Sequence, residues 1–421
     1  MKMFEIRRRF PLRAALVLFL GAGLSSCAGY TRSTKAGLDA FAHRDFESAE
    51  KVYAKADEEG VDQLVYLFDR GTVRYSAGQY EQSIKDFKRA NDLSEIKDYT
   101  SLATELATVV TNDRITHYNG EEFEHVLISV YLALNFAALG KEEEAIVACR
   151  QVNRKLELLR EEGKRHYSLN AFAQYLAGLM FEREGNWNNA YIDYKKTAEL
   201  APDFSRIRRD IVRGALKTDN GSELFKWKKT LGVTEEEVQE ARKELKSSGS
   251  VVLLYQNGFA PEKVSSPSWY EIPEYQSRYN RHRAARLFLD GKEVGRTELM
   301  YNVEAVAKQN LKEKYAGIIA KRVAGVVARE VIGNQLDKQA EGLGTIVKIA
   351  MYAASQPDLR SWLTLPKEFQ VTRVQMPPGK YRASIRLESA SGALEDEKDL
   401  GEVVVKRVGD IALLNYRSLN D

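Results

Sequence analysis

The stretch Gly178-Leu179-Met180-Phe181-Glu182-Arg183-Glu184-Gly185-Asn186-Trp187-Asn188-Asn189-Ala190-Tyr191-Ile192-Asp193-Tyr194 carries the fold of the N-terminal half. Apolar residues recur at i, i+3 and i+4 on either side of Gly185, which predicts two helices joined by a tight turn. Gly178 lets the helices approach, Gly185 permits the turn, Ala190 is the matching small contact, and Tyr194 fills space toward the next hairpin. The same spacing occurs three more times. Gly37, Gly71 and Ala133 are each followed twelve residues later by Ala49, Ser83 and Ala145, and four further on by Tyr53, Phe87 and Cys149. Gly78 and Gly140 occupy the turn position, and the first copy has Arg44 there instead.

This pattern resembles the tetratricopeptide repeat, best in the fourth copy, which Ala201-Pro202 closes. The copies depart from it in lacking most of the usual Trp and Leu and in their unequal intervals. The resemblance implies a solenoid of helical hairpins over 35–247 with a concave groove for peptides or protein partners. Within the irregular insertion at 91–128, Tyr118-Asn119-Gly120-Glu121-Glu122-Phe123-Glu124-His125 reads as a turn and an acid-capped helix start. Thr234-Glu235-Glu236-Glu237 has the form of a capping box. The Arg and Lys residues between 206 and 229 read as solvated helix faces.

Past Ser247-Ser248-Gly249-Ser250 the texture changes. Val251–Tyr255, residues 284–289, 369–374, 381–387, 402–406 and 411–417 read as short strands, with Asn257-Gly258, Asp290-Gly291 and Pro377-Pro378-Gly379 as turns. The expected fold class is α+β: an all-α hairpin solenoid, then a small β-sandwich over 248–421. A helical insert spans about 303–354, rich in Ala and Gly and broken near Gly342-Leu343-Gly344. Its expected role is packing on the sandwich, with membrane insertion and dimerisation as the alternatives.

The N-terminus carries Arg7, Arg8, Arg9 and Arg13, an apolar run from Ala14 to Leu20, and Leu24-Ser25-Ser26-Cys27. That order is a secretory signal, and it resembles the lipobox of bacterial lipoproteins. The resemblance implies removal of 1–26, lipid on Cys27, and a tether over 27–34. Ala28, rather than Asp, after the cysteine implies the outer membrane, with the protein on its periplasmic face. Removing Lys2, the four arginines and Glu5 takes the net charge from +3 to about −1. Basicity therefore argues for no nucleic-acid partner. Cys149 is then left alone and reads as a buried small hydrophobe.

Pro357-Asp358-Leu359-Arg360-Ser361-Trp362-Leu363-Thr364-Leu365-Pro366 completes the motifs. Together with Tyr118–Glu124 and the repeats, it resembles an uncharacterised family of bacterial outer-membrane lipoproteins. The family has no assigned chemistry. Asp358 and Arg360 suit pairing across a bend that Trp362 anchors. If a ligand binds there, the guanidinium of Arg360 suits carboxylates of cell-wall peptides. Asp358, Arg360, Trp362, Glu121 and Glu122 are the candidate partner-contacting residues. His43, His117, His125, His166 and His282 form no His-x-x-x-His pair. No catalytic residue, metal or cofactor is expected. The sequence thus points to a non-enzymatic envelope scaffold with protein partners and an open question of homo-oligomerisation. A lipid or glycan binder is the alternative, and a cell-wall hydrolase the more distant one.

Overall fold

In the computed structural model, the structure describes residues 29–98, 117–161, 170–339, 342–354 and 357–419. After a short helix α1 (Tyr30–Ser33) the helices pair as hairpins. α2 (Lys35–Ala42) packs with α3 (Phe46–Val52), α4 (Gln63–Ser76) with α5 (Tyr80–Asp98), α6 (Glu122–Ala138) with α7 (Glu142–Glu161), and α8 (Ala171–Arg183) with α9 (Trp187–Leu200). The marker residues explain why. A Cβ on Gly178 would lie 2.6 Å from Tyr194 Cε1, and one on Gly71 would lie 2.8 Å from Phe87 Cζ. The aromatic therefore covers the glycine of its own hairpin, rather than only reaching toward the next as expected. Ser83 Oγ donates to Gly71 O at 2.8 Å, tying the small-residue contact together.

Gly78, Gly140 and Gly185 hold the turns at φ 77°, 70° and 79°. Arg44 adopts the same left-handed conformation at φ 61° without being glycine. Its guanidinium donates to Tyr416 Oη at 2.9 Å and to Arg417 O at 2.6 Å, so contacts to the last strand hold a backbone that its side chain disfavours. Three more helices follow: α10 (Ile207–Lys217), α11 (Gly221–Thr230) and α12 (Glu235–Ser247). α12 starts on Thr234, whose Oγ1 accepts from Glu237 N while Glu237 accepts from Thr234 N.

The strands are β1 (Gly249–Asn257), β2 (Glu262–Ser265), β3 (Pro273–Gln276), β4 (His282–Leu289), β5 (Lys292–Arg296), β6 (Glu298–Asn302), β7 (Glu368–Met376), β8 (Gly379–Ser389), β9 (Leu394–Val405) and β10 (Ile411–Arg417). Two four-stranded sheets form, in the orders β10-β1-β7-β6 and β5-β4-β8-β9, with β2 and β3 as a separate pair. β1 and β10 run parallel; the other pairings are antiparallel. Between β6 and β7 come α13 (Val303–Gln339) and α14 (Leu343–Ala354), with Gly342 at φ 80° in the turn.

Every residue of β1 is buried, because its two faces meet different layers. Val251, Leu253 and Tyr255 join Leu287, Ile385 and Val405 in the cluster between the two sheets. Val252 and Leu254, with Phe369 and Val371 of β7, join the core of the repeat helices. The change from helix to strand falls between Ser247 and Gly249, yet one apolar cluster runs from Tyr30 to Leu419. The 35–247 and 248–421 segments therefore share a core. The tether expected over 27–34 is also shorter: Tyr30 and Thr34 are buried, and Tyr30 Oη bonds Asp69. Cys27 lies outside the described residues.

Candidate functional site

The inner face of a helical-hairpin stack is lined by the first helix of each hairpin. Here α4 and α6 supply that face, and residues 357–366 of the same chain lie on it. Trp362 stacks on Phe68 of α4 with ring centroids 4.6 Å apart and touches Phe87 and Tyr131 at 5.5 and 5.4 Å. Its Nε1 donates to Thr72 Oγ1 at 2.8 Å, and its backbone N–H donates to Glu124 Oε1 at 2.8 Å. Thr364 donates from both its N and its Oγ1 to Asp69 Oδ1, at 2.8 and 2.7 Å. An irregular segment with backbone groups unpaired by helix or sheet is stable in the interior only if such partners exist. The buried carboxylates Asp69 and Glu124 provide them.

Arg360 closes the same knot. Its Nε and Nη2 donate to the two carboxylate oxygens of Asp358 at 2.9 and 2.7 Å, the bidentate geometry guanidinium favours. Nη1 reaches Asp62 Oδ1 at 2.8 Å, and the guanidinium lies 5.2 Å from the Tyr118 ring centroid. Trp362 is 2 % exposed and Arg360 4 %. The expectation that Arg360 and Trp362 meet a partner is therefore corrected: their polar groups are used internally and their surfaces lie in the core. Asp358 keeps part of its surface at the rim.

Glu121 and Glu122 start α6 as the sequence suggested and do more. Lys263 of β2 donates to Glu121 Oε1 at 2.6 Å, and Lys314 of α13 donates to Glu121 Oε2 at 2.8 Å and pairs with Glu122. Asn310 Nδ2 donates to Glu122 at 2.8 Å. The pair thus clamps β2 and α13 to the third hairpin, an assignment that replaces partner contact as its role. Burial opposes the charge on Glu121, but the two ammonium groups hold its carboxyl well below the usual range. Beside it, burial pushes Glu124 up to about 7, with the Glu121 charge adding to the effect. The Tyr118–Glu124 and Asp358–Pro366 motifs, far apart in sequence, therefore meet in one buried polar knot.

A second buried network was missed by sequence reasoning. Arg373 of β7 points at the helices, donating to Glu182 of α8 at 2.6 and 2.9 Å and to Asp210 of α10 at 2.9 Å. Arg213 of α10 donates to Glu182 at 2.7 Å. Tyr194 and Tyr175 supply hydroxyl donors to Glu182 and Asp210 at 2.6 and 2.8 Å. All four charged side chains are buried. Burial raises the Glu182 carboxyl, yet the two guanidiniums hold it down to about 2. A signal did exist: Arg373 shares strand parity with Phe369 and Val371, so a charge sits on the apolar face.

His117 is exposed, and His125 Nε2 lies 2.6 Å from Asn119 O. Among the described residues no group of three or more His, Cys, Asp and Glu is arranged to hold a metal ion. A cavity of about 330 Å³ is lined by Arg206, Arg208, Arg209, Asp210, Glu237 and Arg373, among others. Arg208 and Arg209 bond Glu237 and Glu240 across it, so its charges are largely met from within. No helix among the described residues is long and apolar enough to cross a membrane. Cys149 is buried, and burial raises its thiol well above the ordinary range, as befits a core residue.

No protein-family model matches the chain, and no curated protein does. Solved structures similar to part of it include the MamA protein, 16% identical, covering 51% of this chain and 93% of that one at a TM-score of 0.33. A tetratricopeptide repeat protein from Parabacteroides merdae is 16% identical, with coverages of 52% and 68% and a TM-score of 0.32. The Rap conjugation regulator of plasmid pLS20, solved with the Phr* peptide, is 14% identical, with coverages of 58% and 59% and a TM-score of 0.30. These are partial likenesses. The repeat character of the N-terminal half stands on its own hairpin contacts.

Proposed function

We propose that this protein is a non-enzymatic scaffold of the bacterial envelope, held to the outer membrane by lipid on Cys27 and presenting its repeat helices to a protein partner. The observation that carries the scaffold reading is the self-filled inner face: Trp362 and Thr364 take the surface of α4 and α6. A partner then meets the outer helices. Val147 and Leu158, eleven residues apart on one face of α7, are exposed there, as are Ile192 of α9 and Phe225 of α11. Carboxylates that the fold gathers are tied to guanidinium, ammonium and hydroxyl groups, which suits a structural role better than acid–base chemistry. Two sheets facing one apolar cluster support reading the strands as a sandwich that stiffens the repeats.

The lipid anchor rests on Leu24-Ser25-Ser26-Cys27. Since Tyr30 is fixed to Asp69, three residues at about 3.6 Å each would hold the body within roughly 10 Å of the leaflet. The test uses intact cells producing the full chain with a photocrosslinking residue at Leu158 or at Phe225. A single protein captured from either position, and not from a position on the opposite sheet such as Lys398, supports the scaffold. Equal yields from every position would overturn it. Cys27→Ser should move the protein from the membrane to the soluble fraction; retention on the membrane would refute the anchor while leaving the scaffold standing.

A further inference from the structure

From Tyr315 onward helix α13 is inside out. Its arginines face inward: Arg322 and Arg329 are buried, and Arg329 bonds Glu271 at 3.1 and 3.2 Å. Glu330 pairs with Lys348 of α14 at 2.8 Å, and Asp337 accepts from Gly344 N at 2.8 Å, so these charges serve the hairpin itself. The outer face is apolar. Val323, Val327 and Val331 are 49, 59 and 51 % exposed, and Ala316, Ala320 and Ala324 stand beside them. From Tyr315 to Gln335 the most exposed residues are uncharged, and Glu330 beside the stripe, whose side chain is 47 % exposed, is paired with Lys348. A surface helix ordinarily shows the reverse arrangement. Branched aliphatic residues left in water along about 12 Å of helix, extended by alanines to about 22 Å, call for a cover.

We propose that the cover is a second copy of this chain, with α13 packed antiparallel on its own counterpart about a two-fold axis between residues 323 and 324. The order of large and small residues selects this occupant. With the axis there, Val323 meets Ala324, Val327 meets Ala320 and Val331 meets Ala316 of the second copy. Each valine finds an alanine, which lets the helices approach closely and interdigitate. The ends fit too, since Lys312 falls opposite Gln335 and Glu313 opposite Asn334, with no like charges facing. A parallel pairing would set valine on valine and leave gaps between alanines. A fluid acyl surface gains nothing from alternating large and small residues; a second rigid helix does. The pairing is isologous and closes on itself. Ile346 and Ile349 are also exposed, on the adjoining α14.

The test is oxidative crosslinking of the full chain in its own membranes, with the unsubstituted chain, which carries Cys27 and Cys149, as background. V323C lies next to the axis and should give a disulfide-linked dimer. A316C and V331C should each stay monomeric alone and crosslink to one another when two differently tagged copies are produced together. V327E should abolish the V323C crosslink by placing a charge in the seam, and V327A should weaken it. A V331C self-crosslink would overturn the antiparallel register. A folded V323C protein that stays monomeric under oxidant would overturn the dimer. So would its protection from aqueous maleimide by lipid vesicles alone, which would assign the face to lipid.

Discussion

Replacing Arg373 by methionine keeps the length of the side chain and removes the guanidinium that joins β7 to α8 and α10. Glu182 and Asp210 are then left with Arg213 alone, so one negative charge is buried without compensation. Breaking one partner of such a network costs about 3–5 kcal/mol. The assay is urea unfolding at pH 7, followed by far-UV circular dichroism and by tryptophan fluorescence. Because helices and strands share a core, both probes should shift to the same lower midpoint. Adding Glu182→Gln removes a charge of the opposite sign and should restore at least about 2 kcal/mol, seen as non-additivity in the double-mutant cycle. Acid adds a second readout. Glu182 is held down to about 2 in the fold, so its contribution is present above the unfolded value near 4.5 and lost as pH falls toward 2. The Arg373→Met variant should show a shallower acid slope. A loss under about 1 kcal/mol, or strict additivity with Glu182→Gln, would refute the reasoning.

Glu124 has the opposite sign: burial raises it to about 7, so the fold should lose stability as pH rises from about 4.5 to 7, and thermal melts of Glu124→Gln should be flatter over that window. Trp362→Ala removes a stacked ring and the hydrogen bond to Thr72 and should cost about 3–5 kcal/mol in chemical denaturation. Gly178→Ala should destabilise by about 1–3 kcal/mol because its Cβ meets Tyr194. Gly221→Ala, at a helix start with open space around it, should be neutral or stabilising by up to about 1 kcal/mol in the same assay. At Arg44, the alanine variant should be about 1 kcal/mol less stable than the glycine variant, since both lose the contacts to Tyr416 and Arg417 and only glycine relieves the left-handed backbone.

The sequence alone determined the hairpins, because what sets them acts over fewer than twenty residues. A glycine, a turn and an aromatic at offsets of 7 and 16 specify one close helix pair, and Gly178 against Tyr194 realises it. The capped starts of α6 and α12 were legible for the same reason. Six of the ten strands were legible from apolar runs and turns; the short β2, β3, β5 and β6 were not, and neither was the parallel β1–β10 pairing, since β10 lies more than 150 residues further on. Tertiary structure decided what the motifs do. In sequence Trp362 reads first as the anchor of a buried bend and second as a partner contact, and its place between Phe68, Phe87 and Tyr131 shows what it packs against. The charges of Arg373, Glu182 and Asp210 look like surface residues until three distant segments bring them together in the interior. Helix α13 is the sharpest instance, because periodicity reveals that a helix has two faces and not which one looks outward. That choice belongs to the rest of the fold: Glu271 and Lys348 take the charged face, and the valines are left outside.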